Sequence, residues 1–217
     1  MNVDLARFNM VEQQVRPWDI LDQRVLDVLE RIPRENFVPH AHRNLAFADL
    51  EIPLGHGEVM LAPKIEGRIL QALTLQPTDV VLEIGTGSGH LTACLAQLAA
   101  QVHSVDIHAD FTQATQAQLT EIGIDNVTLH TGDASAGWPQ PGRYDVIVVG
   151  GSLPEYRDDF ERQLNPGGRL FVVVGEAPVM EAMLVTRTSE DAYARIALFE
   201  TCLPPLAGVE PKPKFMF

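Results

Sequence analysis

From Asp79 onward, short apolar runs alternate with longer segments whose apolar residues recur every three or four positions. The runs at 79–84, 102–105, 127–130, 145–149 and 169–174 have strand length and little polar interruption, the mark of strands buried on both faces. Between them, 65–75, 91–100 and 110–122 carry the helical period, and 160–164 reads as the end of a further helix stopped by Asn165-Pro-Gly-Gly168. This repeated alternation predicts a parallel sheet with right-handed crossovers. The end of the chain changes character. Two β-rich runs, 183–188 and 193–200, flank Ser189-Glu-Asp-Ala192 and predict an antiparallel hairpin. The proline-rich tail from Cys202 is expected to be irregular. Residues 1–62 read differently again. Val11, Val15 and Trp18 share one helical face, and Val25, Leu26, Val28, Leu29 and Ile32 share a second behind a capping Asp22. Pro53, Gly55 and Gly57 punctuate an extended loop. The expected architecture is α/β: a Rossmann-like, mostly parallel seven-stranded sheet with a C-terminal hairpin. A helical extension, 1–62, precedes the domain at 63–217, and the two form one compact unit.

At 217 residues the chain is long enough to bury a core without disulfides or structural metal. It carries 16 Lys and Arg against 29 Asp and Glu, a net charge of −13. Such a balance disfavours binding to nucleic acid or to an anionic membrane, since both require a positive field. Two cysteines, Cys94 and Cys202, exclude a disulfide framework and a multi-cysteine zinc site. The N-terminus lacks the basic start and apolar stretch of a secretory signal, and no run is long enough to span a membrane. The expectation is a cytoplasmic protein.

The chemistry concentrates in Glu83-Ile-Gly85-Thr86-Gly87-Ser88-Gly89-His90, between the first strand of the sheet and a helix. A glycine loop there lets a ligand approach the backbone and the helix N-terminus. Its G-x-G-x-G spacing departs from the dinucleotide fingerprint, whose last glycine would fall at His90. Asp106-Ile107 ends the second strand, 21 residues after Gly85, where a carboxylate accepts hydrogen bonds from ribose hydroxyls. Gly132-Asp133-Ala134 follows the third strand, placed to read adenine. Together these three strand ends predict a nucleoside site. Glu83 precedes the loop where a ligand's positive charge would sit. That favours S-adenosyl-L-methionine, with its ammonium and sulfonium, over NAD, whose pyrophosphate it would repel. At this point the acceptor is open, and three readings stand: methyl transfer to an acceptor such as a small molecule, a catalytically weak cofactor-binding homologue, and a nicotinamide-dependent oxidoreductase.

Other residues read more plainly. Cys94 lies on an apolar helix face with Leu91, Leu95 and Leu98, so it is expected in the core. Trp18 and Trp138 are expected to pack. The seven histidines show no helical metal-ligand spacing beside a glutamate, so no metal is expected. His90 reads equally as a cofactor contact or an exposed helix start.

The glycine loop, Asp106, Gly132-Asp133, Tyr144-Asp145-Val-Ile147 and Leu164-Asn-Pro-Gly-Gly168 resemble the ordered motifs of class I S-adenosylmethionine-dependent methyltransferases. A narrower resemblance spans nearly the whole chain. Asp22-Gln-Arg-Val25, Pro33-Arg-Glu-Asn-Phe-Val-Pro39, Phe47-Ala-Asp49, Ile52-Pro-Leu-Gly55, Ala62-Pro63 and Leu203-Pro-Pro-Leu206 resemble the protein-L-isoaspartate O-methyltransferase family. The resemblance implies methyl transfer to the carboxylate of isoaspartyl residues in damaged protein or peptide substrates. It implies cofactor contacts from Glu83, Gly85, Thr86, Gly87, Ser88, Gly89, Asp106, Ile107, Asp133 and Ala134. One segment departs from it. Where that family usually reads Gly-Gln-Thr-Ile-Ser-Ala-Pro, this chain reads Gly57-Glu-Val-Met-Leu-Ala-Pro63. Val59 and Leu61 thus replace a threonine and a serine that face the acceptor, and Lys64 replaces the following histidine. The catalytic residues are left open, and so is the oligomeric state.

Overall fold

The computed structural model describes residues 2–139 and 142–209. Its centre is a seven-stranded sheet built from β3 (Val80–Ile84), β4 (Gln101–Asp106), β5 (Val127–Thr131), β6 (Tyr144–Leu153), β7 (Leu164–Glu176), β8 (Val179–Ser189) and β9 (Ala192–Thr201). The strand order is β5-β4-β3-β6-β7-β8-β9. β5, β4, β3, β6 and β7 pair in parallel, and β8 and β9 add antiparallel strands at one edge. Both the parallel sheet and its closing hairpin match the pattern of apolar runs.

Alternate strand residues serve two cores. Val81, Val146, Val148, Phe171 and Val173 face one side, together with buried residues of α3 (Pro63–Leu73), α4 (His90–Leu98) and the N-terminal helices. Leu82, Ile147, Val149, Leu170 and Val172 face the other, against Phe160 and Leu164. The strands are buried on both faces, and for that reason they read as continuous apolar runs rather than alternating ones. The N-terminal segment shares the first core through Met10, Val15, Leu26 and Leu29. In α2 (Gln23–Arg31), the Asp22 side chain accepts from the Arg24 backbone N–H at 2.9 Å, the expected cap.

Three expectations are corrected. The helix expected at 160–164 is one 3₁₀ turn, Glu161–Gln163, because Leu164 already pairs with Tyr144 in the sheet. The expected helix face through Val11, Val15 and Trp18 is broken. α1 (Val3–Met10) passes into a π-helical turn, Val11–Val15, and then a 3₁₀ turn, Arg16–Trp18. That loss of register turns Trp18 outward to 42% exposure, so it is not a core residue, and the Lys64 Nζ sits 4.4 Å from its ring centroid. The glycine-punctuated loop is in fact a two-stranded hairpin, β1 (Ile52–Gly55) and β2 (Glu58–Met60). Its turn places His56 at φ +55° and Gly57 at φ +87°. Of the proline-rich tail, the part from residue 210 lies outside the described residues.

Candidate functional site

The site lies at the C-terminal ends of β3, β4, β5 and β6, where open α/β sheets bind ligands. After β3 the chain turns through Gly85 at φ +92°, Gly87 at φ +51° and Gly89 at φ +83°, a path that side-chain-bearing residues rarely adopt. Asp106 holds this path. One carboxylate oxygen accepts the Gly87 N–H and the other the His108 N–H, both at 2.9 Å. Each carboxylate oxygen can accept a second hydrogen bond, which leaves capacity for ligand hydroxyls.

A cleft opens beside the loop. Gly85, Gly87, Asp106, Ile107, Asp133 and Ala134 line it, so the structure brings most of the sequence-predicted residues together. The Asp133 carboxylate accepts the Ser135 N–H at 2.8 Å, and that backbone bond is the first cause of its lowered pKa. A second, smaller chamber adjoins the cleft, and Val59, Gly85, Gly87 and Gly150 line both. Met60, Leu61, Glu66, Glu83, Thr86, Ser88 and Leu91 complete its wall.

Glu83 is the unusual group of this chamber. It is fully buried, and its Oε2 accepts hydrogen bonds from Thr92 Oγ1 at 2.5 Å and Ser104 Oγ at 2.6 Å. Its Oε1 has no hydrogen-bond partner among the described residues. Burial is the main cause that pushes its pKa up to about 8, and the hydroxyl donors oppose that shift. Glu83 lines the chamber, and a cationic ligand there would favour its ionised form against the cost of burial.

Beneath the chamber lies a buried ionic network. Arg34 bonds Glu66 through Nη1, the Ala46 carbonyl through Nε at 2.9 Å and the Leu61 carbonyl through Nη2 at 2.6 Å. His90 Nδ1 lies 2.9 Å from Glu66 Oε2. Desolvation works to raise the Glu66 pKa, yet Arg34 and His90 together hold it below the usual carboxylate range. His90 is therefore neither exposed nor a lining residue of either cavity, as the sequence had suggested; it is fully buried.

Gly89 also differs from its expected place. It lines neither cavity, and a Cβ on it would lie 2.4 Å from Thr115 Oγ1. Its smallness lets α4 approach α5 (Ala109–Glu121). Thr86 and Ser88 line the chamber and not the large cleft, and the Thr86 hydroxyl lies 2.7 Å from Ser104 Oγ. Cys94 is buried as expected, and Trp138 packs against Gly132 and His130. Sequence reasoning missed Glu58, His108, Phe111, Leu206 and Ala207, all of which line the cleft. They come from the hairpin, the start of α5 and the C-terminal segment, and no local motif marks them.

The family model described as protein-L-isoaspartate(D-aspartate) O-methyltransferase matches residues 7–208. A protein-L-isoaspartate O-methyltransferase of Rhodopseudomonas palustris is 37% identical over 202 residues, covering 93% of each chain. One of Koribacter versatilis is 36% identical, covering 94% of this chain and 91% of its own. A Plasmodium falciparum structure bearing the same enzyme designation, in complex with S-adenosyl-L-homocysteine, superposes with a TM-score of 0.79. It is 19% identical and covers 92% of this chain and 97% of its own, which speaks to the fold. The match takes in the helical extension, the hairpin and the sheet alike, and it places this chain in the protein-L-isoaspartate(D-aspartate) O-methyltransferase family.

Proposed function

We propose that this protein transfers a methyl group from S-adenosyl-L-methionine to the carboxylate of isoaspartyl residues in protein or peptide substrates. The observation that carries this reading is the adjacency of the two cavities, which share four lining residues, inside a chain that matches the family over nearly its whole length. In the large cleft, Asp106 has lone pairs for ribose hydroxyls, and Ile107, Asp133 and Ala134 flank the place of the adenine. Gly85 and Gly87 admit the ligand close to the backbone. Thr86 and Ser88 lie with Glu83 around the chamber, where Glu83 faces the ligand's positive end.

Bound there, the cofactor supplies an electrophilic methyl group, which an acceptor oxygen takes while the C–S bonding pair stays on sulfur. A carboxylate acceptor is already ionised at neutral pH and needs no general base. The chamber agrees with that requirement: its described lining has no histidine or lysine. Glu66 faces it, but Arg34 balances the charge, so an anionic acceptor does not meet a bare carboxylate. The remaining wall of Val59, Met60, Leu61 and Leu91 excludes water and holds the acceptor close, which is most of what in-line transfer asks of a protein.

A second reading rests on Val59 and Leu61, which offer no hydroxyl to the acceptor. It is methyl transfer to a different acceptor, or a catalytically weak cofactor-binding homologue. The test compares an isoaspartyl peptide with its aspartyl twin by initial rate with a radiolabelled methyl donor. We expect selective labelling of the isoaspartyl form. Val59→Thr with Leu61→Ser should raise that rate about ten- to a hundredfold, the worth of one regained hydrogen bond to a charged group. Labelling of neither peptide by either form, with cofactor binding intact, would reject the isoaspartyl acceptor and favour the second reading.

A further inference from the structure

We propose that His56, His108 and Asp110 form a binding site for a divalent transition-metal ion, and that the ion pins the β1–β2 hairpin to the start of α5 at the rim of the large cleft. One ligand atom from each residue lies within 4.8 Å of the others. His56 Nε2 is 3.0 Å from Asp110 Oδ2. The His56 and His108 rings stack at 4.0 Å with an interplanar angle of 9°, and Phe111 sets its edge against both at 5.4 Å. An ion pair between His56 and Asp110 would need only one imidazole. The second, aligned ring gives the place a donor set of two nitrogens and one oxygen.

That donor set selects the metal. Imidazole suits zinc, copper, nickel and cobalt, whereas magnesium and calcium take oxygen ligands. Three protein ligands and one open position is a common zinc arrangement. With metal–ligand bonds of about 2.0–2.2 Å, a tetrahedral ion places its ligand atoms roughly 3.3 Å apart. Reaching that spacing turns the two stacked imidazoles out of parallel so that their lone pairs converge, and the exposed His56 and Asp110 side chains have room to rotate. The His108 backbone is already fixed by its N–H bond to Asp106 at 2.9 Å. His56 comes from the hairpin turn, so an ion here joins two segments more than fifty residues apart in sequence. Glu58 and Val59, just beyond that turn, line the cleft, as do His108 and Phe111. Metal occupancy therefore holds one wall of the cleft against another. This inference does not depend on the identity of the methyl acceptor.

The test uses the full chain without cofactor, in a Cys202→Ser background that removes the exposed thiol. Zinc is titrated by calorimetry, and cobalt by visible absorbance, at mildly alkaline pH because protons and metal compete for the ligands. One ion should bind, and cobalt should show the d–d bands of tetrahedral coordination. Loss of even an outer-shell partner commonly costs ten- to a hundredfold in metal affinity, so His56→Ala and His108→Ala should each weaken binding by at least about tenfold. His103→Ala, which disrupts the separate His103–His130 pair, should leave the affinity unchanged. Hydrogen exchange across 54–58 should slow on adding zinc. Absence of saturable binding, or binding undiminished in both His56→Ala and His108→Ala with native circular dichroism, overturns the site. Binding without slower exchange across 54–58 overturns the pinning.

Discussion

Asp106→Asn separates two duties that one carboxylate performs. In the structure its two oxygens accept the Gly87 and His108 N–H groups, each at 2.9 Å, and the residue is almost fully buried. An asparagine has a single acceptor oxygen, and its NH₂ group would face one of those donors. Leaving a buried N–H unpaired costs about 1–3 kcal/mol. For a chain of this size that lowers the melting temperature by roughly 2–12 °C. The second duty is toward the cofactor. A charged acceptor of ribose hydroxyls is worth about 1.5–3 kcal/mol, so the dissociation constant for S-adenosylhomocysteine should rise about ten- to a hundredfold. Calorimetric titration gives the affinity and scanning calorimetry the stability, on the same sample. A folded variant with a lower melting temperature and an unchanged dissociation constant would refute the ribose role while leaving the loop-holding role in place.

Gly87→Val puts a β-branched residue at φ +51° in the lining of the cleft, with its Cβ 3.4 Å from Leu54 Cδ1. It should abolish thermal stabilisation by S-adenosylhomocysteine, while far-ultraviolet circular dichroism stays native-like; a normal thermal shift would contradict the cradle. Gly89→Ala should behave in the opposite way. Its Cβ overlaps Thr115, so it should lower stability by about 1–3 kcal/mol in denaturant titration with little change in cofactor affinity; a larger loss of affinity than of stability would return Gly89 to the ligand. Glu83 predicts a pH effect. With its pKa raised from 4.5 to about 8 by burial, the folded chain holds a proton that the unfolded chain releases. Its contribution to stability is full below about pH 4.5 and is lost as pH rises toward 8, so Glu83→Gln should flatten that part of the stability curve in thermal melts. Parallel wild-type and variant curves would contradict it.

The sheet was legible because its strands are buried on both faces, and such strands write themselves as apolar runs between glycines and prolines. The glycine loop was legible because its demands are local: glycines at positive φ and a carboxylate at the next strand end. Gly89 shows the limit of that logic. Its spacing is that of a ligand-binding glycine, yet its contact is Thr115, 26 residues away in sequence. His90 was misread for a related reason. Its place at a helix start says nothing of Arg34 and Glu66, which arrive from two other segments to surround it. The His56–His108–Asp110 cluster escaped a search for helical spacing, because one of its members sits in a hairpin turn too short to register as a hairpin. Trp18 was lost through the π turn before it, which shifts the helical register by an amount that no residue type announces.

Val59 and Leu61 leave the acceptor segment without side-chain hydroxyls, so what that segment can offer an acceptor is its backbone. Arg34 fixes where that backbone lies. It reaches the Leu61 carbonyl at 2.6 Å and the Ala46 carbonyl at 2.9 Å, and its charge is met by Glu66. A buried guanidinium of this kind contributes position more than stability, because desolvation offsets much of its Coulombic gain. Glu66 is in turn bonded to His90, the first residue of α4, directly after the cofactor loop. One chain of contacts thus runs from the acceptor segment through Arg34, Glu66 and His90 to the loop beside the cofactor. This network, and not side-chain hydroxyls, fixes where the 57–63 segment lies relative to the glycine loop. Truncating Arg34 would strand Glu66 as an unpaired buried charge and release Leu61 together with Ala46, so the acceptor wall and the fold beneath it would be lost together.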